Sequence, residues 1–79
     1  MSEYTDNAAN KLADEALAEA KLCGDTKIVD KIGEILGASS QSLEEAYLTA
    51  IRVRRAEVRA YKLLEESVAA RAKAAQDPT

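Results

Sequence analysis

Large apolar residues recur three or four positions apart through most of this chain, the interval of an amphipathic helix. Ala9, Leu12, Ala13, Ala16, Ala20 and Cys23 fall on one such stripe. Thr5 or Asp6 can cap that helix, and Gly24 can end it, because glycine takes the left-handed turn at no steric cost. Asp25 then caps a second helix whose apolar face is Ile28, Val29, Ile32, Ile35 and Leu36, with Gly37 as its terminator. Glycine at 33 lowers helix propensity by about 1 kcal/mol relative to alanine, which suggests close approach of another helix there. Ser42 and Glu45 have the spacing of a capping box, and nothing stops the third helix until about Gln76. The expectation is an all-α domain over 1–79 with helices at about 5–23, 26–36 and 42–76. The tail from 71 to 79 has no large apolar residue and is expected to fray.

The third helix is the unusual element. At about 1.5 Å per residue it would be roughly 50 Å long. Leu43, Ala46, Tyr47, Ala50, Ile51, Val53, Val58, Tyr61, Leu64 and Val68 cover one broad face, and Arg52, Arg55, Arg59 and Lys62 the opposite side. Arg54 and Glu57 interrupt the apolar face and are spaced to pair with each other or with a neighbouring chain. Two short helices cannot cover a stripe that runs to Val68. A dimer through this helix is therefore expected, with Tyr47, Ile51, Val58, Tyr61, Leu64 and Val68 in the shared interface.

Composition sharpens this picture. Hydrophobic residues make up 47% of the chain, but many are alanine and there is no Phe or Trp, so the core is lean. A small domain with so little to bury usually needs a second copy or a partner. Net charge is −3, but residues 1–50 carry four basic and ten acidic side chains while residues 51–79 carry seven and four. Such a split favours contact between copies or with a charged partner. Cys23, the single cysteine, has no internal partner and reads as a small buried residue in a reducing compartment. The opening MSEYTDNAANK has neither the apolar run nor the basic cluster of a signal peptide. Nothing approaches a membrane span. A cytoplasmic protein with no membrane association is expected.

The stretch KIGEILGASSQSLEEA, residues 31–46, carries one motif. Gly33, Gly37 and Leu43 have the four- and six-residue spacing of the small residue, turn glycine and buried aliphatic of a helix-turn-helix. Ile32, Leu36, Ala38 and Ala46 fit its apolar positions. The stretch thus resembles the generic helix-turn-helix signature of phage repressor-like regulators over about twenty residues. The resemblance implies a DNA-reading transcriptional regulator of phage or plasmid type, with Ser39, Ser40 and Gln41 towards the groove beside Glu44 and Glu45. Ser and Gln can read base edges, but affinity for DNA comes largely from Lys and Arg, and the nearest basic cluster lies further along. The stripe Arg52, Arg55, Arg59 and Lys62 could meet phosphates itself, without an aromatic on that face for base stacking.

Catalytic chemistry has little to work with. There is no histidine, which removes the commonest general base and metal ligand. Cys23 falls at a helix C-terminus, where the dipole disfavours a thiolate. No glycine-rich loop could cradle a phosphate. The expectation is a protein with no catalytic, metal or cofactor site. Its expected role is that of an adaptor, chaperone or assembly subunit acting through the amphipathic third helix on a protein partner and on a second copy of itself. The regulator is the alternative.

Overall fold

The computed structural model describes residues 2–76 as three helices, α1 (Glu3–Cys23), α2 (Lys27–Ser39) and α3 (Gln41–Gln76), with no strand among the described residues. The all-α expectation holds, with the two short helices packed on the long third one. Residues 71–76, expected to fray, continue α3, and 77–79 lie outside the described residues.

The helix boundaries correct several expectations. α1 begins one turn earlier than Thr5: the Ser2 hydroxyl accepts the Thr5 N–H at 3.1 Å. The added turn contributes nothing to the core, since Tyr4 is exposed, but Ser2 is as good a cap as Thr5. Gly24 ends α1 as expected, in the left-handed conformation at φ 73°, with its N–H bonded to the Ala20 carbonyl. Asp25 does cap α2, accepting the Lys27 N–H at 2.9 Å.

Gly37 does not end α2. The helix runs on to Ser39 and is joined to α3 by the single residue Ser40. A side chain at 37 would run into the Glu44 carboxylate of α3. The glycine does not terminate the helix, and a Cβ there would require the flexible end of Glu44 to move aside. Ser40, rather than Ser42, caps α3: its hydroxyl accepts the Leu43 N–H at 3.2 Å and its carbonyl accepts the Glu44 N–H at 3.0 Å.

α2 and α3 form an antiparallel hairpin, since Gly37 meets Glu44 while Gly33, one turn back, meets Tyr47 and Leu48 one turn on. The core is Ala9, Ala13, Ala16 and Ala20 of α1, Val29 of α2, and Ala46, Tyr47, Ala50 and Ile51 of α3. Leu12, Leu17, Ile28, Ile32, Leu36, Leu43 and Leu48 pack around it, partly buried. Alanines on α1 let the helices approach closely, and Tyr47 fills the space between. Its hydroxyl donates to the Val29 carbonyl at 2.7 Å, so the one polar atom of this buried ring is satisfied.

Ile35 and Cys23, expected on buried faces, are not in the core, and neither is Leu22. Ile35 is 68% exposed and Leu22 83% exposed. Ile35 lies about a third of a turn round α2 from Val29 and on the opposite side from Gly33, past the arc its neighbours reach. Leu22 lies on the outward side of α1. Cys23, expected to be buried, is exposed because α1 ends there, with its thiol directed to the Asp25 carbonyl at 3.8 Å.

Gly33 is buried, but a Cβ there would meet Leu48 and Tyr47 at 3.5 and 3.6 Å, ordinary packing distances. Gly33→Ala should therefore gain helix propensity without a clash, raising stability by about 0.5–1 kcal/mol. Thermal melting checks it, and a fall in Tm would mean that the close approach is tighter than the backbone indicates.

Candidate interaction surface

The body of the molecule stops partway along α3. Ile51 is the last buried residue and Arg54 the last half-buried one. Beyond them 22 residues, Arg55 to Gln76, continue as a helix of about 33 Å with no other element of the described residues beside it. The envelope of 62 × 29 × 13 Å reflects this projection.

Arg54 marks the boundary. Expected to pair with Glu57 or with a neighbouring chain, it instead ties α3 to α1. Its guanidinium Nε donates to Asp14 Oδ1 at 2.5 Å, and its other nitrogens reach the Ala50 carbonyl at 3.0 Å and Asn10 at 3.4 Å. The bond from Arg54 holds the Asp14 carboxyl below its ordinary pKa, and the same bond raises that of Arg54. Burial, with the charge of Asp30 nearby, pushes the Tyr47 phenol above its ordinary value. Next to Arg54 lies a shallow open groove of about 260 Å³, between Asp6 and Asn10 of α1 and Thr49 and Val53 of α3. Its polar lining is the Asp6 carboxylate, the Asn10 amide, the Thr49 hydroxyl and the Arg54 guanidinium.

The six residues expected at an interface divide at this boundary. Tyr47 and Ile51 are buried in the chain's own core, at 0% and 3% exposure. Val58, Tyr61, Leu64 and Val68 are 69%, 61%, 58% and 52% exposed. They continue the same face of α3 that buries Ala50 and Tyr47 lower down, so the stripe outlasts the helices that could cover it. Three charged residues interrupt this outer stripe, Glu57, Glu65 and Arg71, and all three are exposed.

The candidate nucleic-acid contacts do not form one surface. Ser39 ends α2, Ser40 is occupied as the cap of α3, and Gln41 is the first residue of α3, with its amide 3.5 Å from Glu45. Their immediate neighbours are Glu44 and Glu45. Arg52 is exposed beside the body, and Arg55, Arg59 and Lys62 are exposed along the projecting part of α3, on the side away from Tyr61 and Val68. A turn of several residues holding the motif's glycine is missing, because Gly37 sits inside α2. None of the described helices is long and apolar enough to cross a membrane. No protein-family model, curated protein or solved structure matches this chain.

Proposed function

We propose that this chain is a small non-enzymatic interaction module, of the adaptor, chaperone or assembly-subunit kind, that works by pairing the projecting half of α3 with a helix of another protein, and first of all with a second copy of itself. One observation carries this reading: Val58, Tyr61, Leu64 and Val68 lie exposed in line on a helix that runs 22 residues past its own core. Most of the stability of helices in proteins comes from packing an amphipathic face, and burial against a partner supplies the packing that its own chain does not. Contiguous exposed apolar surface on a small protein marks an interaction site. The lone cysteine suits a cytoplasmic, reducing setting.

Leu64→Asp tests the reading. The side chain touches nothing in the three-helix body, so the variant should fold with the same Tm for that body. Its mass by light scattering should fall from two chains to one. An unchanged dimer would place the interface elsewhere.

The regulator alternative draws less support. Its motif glycine sits in a helix, and its groove-facing positions are beside two glutamates. The exposed arginine stripe favours a different nucleic-acid contact, to phosphates only. Binding of a random duplex that fades with salt and is lost in Arg55→Glu with Arg59→Glu would favour that second reading.

A further inference from the structure

We propose that two copies pair antiparallel along the projecting half of α3, in a register centred on Leu64, so that Glu57 of each copy faces Arg71 of the other. This rests on the reading of that half of α3 as an interaction surface, and it specifies the partner, the direction and the register.

The argument begins with spacing. Glu57 precedes Leu64 by seven residues and Arg71 follows it by seven. Residues seven apart on a straight helix drift by only about 20°, so all three lie along one side of α3. That side is the exposed apolar one, with Tyr61 and Val68 beside Leu64. An acidic and a basic group therefore stand at equal distances on either side of the centre of the stripe. Both are exposed, and neither is in an ion pair among the described residues.

A two-fold axis through Leu64 converts this asymmetry into complementarity. Pairing of identical copies about such an axis repeats every contact twice. Glu57 comes level with Arg71 of the second copy, and Arg71 with Glu57. Glu65 lies on the flank of the same seam, and Lys62 lies on the far side of the helix. The remaining basic residues Arg52, Arg55, Arg59 and Lys73 lie on the far side and stay in solvent. A parallel pair would instead set Glu57 against Glu57 and Arg71 against Arg71, like charges within the contact, which charge patterning at helix pairs selects against. The length also fits. The first residue past the body, Arg55, comes level with Lys73, so each projecting helix covers nearly the whole of the other.

The test is charge exchange in the full chain, read as the dimer dissociation constant by sedimentation equilibrium. Far-ultraviolet circular dichroism checks that each variant is folded. E57R and R71E each turn two attractions into two repulsions and should weaken the dimer about tenfold. The double variant E57R/R71E restores opposite charges across the axis and should return to within about threefold of the unmodified chain. Glu57 lies one turn from Arg54, so R71E, which has no such neighbour, is the cleaner single variant. A dimer that Leu64→Asp splits, but whose double variant is as weak as the singles or whose singles change nothing, overturns the antiparallel register and keeps α3 as the interface. A monomer at every concentration overturns both.

Discussion

Replacing Tyr47 by alanine is expected to unfold a large fraction of the molecules at room temperature. The ring is fully buried where α2 crosses α3, lies against Gly33, and is the only aromatic side chain in the core. Truncating a buried aromatic costs about 3–5 kcal/mol. A chain of this length has only about 4–12 kcal/mol of stability in all, and a core made largely of alanine belongs at the lower end. At about 4–8 °C per kcal/mol for a domain of this size, Tm should fall by at least about 12 °C. Tyr47→Phe separates ring from hydroxyl. It removes the bond to the Val29 carbonyl and keeps the packing, so it should cost only about 1 kcal/mol. Melts followed by circular dichroism check both. Equal losses would mean that the ring packs less well than its burial indicates.

The second large effect is on α1. Ala13 has no exposed surface and lies among the alanines that let α1 approach its neighbours. Ala13→Leu forces several extra heavy atoms into a seam with no space for them, and overpacking of this kind costs about 1–3 kcal/mol. Ala18, on the same helix, is exposed, and Ala18→Leu should change stability by no more than about 0.5 kcal/mol in either direction. A comparison of the two by thermal melting isolates the packing effect, since the helix and the substitution are the same.

Much of this fold was legible in the residues because its helices are amphipathic and its stops are chemical. The alanine stripe of α1 lies where its spacing placed it, and Gly24 is a terminator as its backbone freedom suggests. The errors share one cause: a local signal has more than one physical use. Gly37 could have been a stop or a place for Glu44 to rest, and only the position of α3 decides. Among the serines of ASSQS, the cap is the one where the chain turns, and that depends on how α2 and α3 meet. Ile35 has the residue type and spacing of a core position, but a helix with two neighbours buries only the arc that faces them.

The interaction surface was half legible for a related reason. The stripe runs from Leu43 to Val68 with a few charges on it, and its apolar residues do not mark where α1 and α2 stop covering it. Tyr47 and Ile51 read the same as Tyr61 and Leu64 until the body is in place. Arg54 could have signalled the boundary, being a charge on the apolar face with Asp14 and Asn10 to hold it. Those partners are 40 and 44 residues away in sequence, beyond any local pattern. The placement of Glu57 and Arg71 about Leu64 was readable throughout, but it had no meaning until those residues were seen to project.

If the outer half of α3 is held by pairing with another chain rather than by its own, amide hydrogen exchange along α3 should depend on protein concentration. Residues 57–71 should be protected at high concentration and lose protection on dilution, while Ala46–Ile51 and the alanines of α1 are unaffected. Fast exchange of residues 57–71 at every concentration would rule out the pairing.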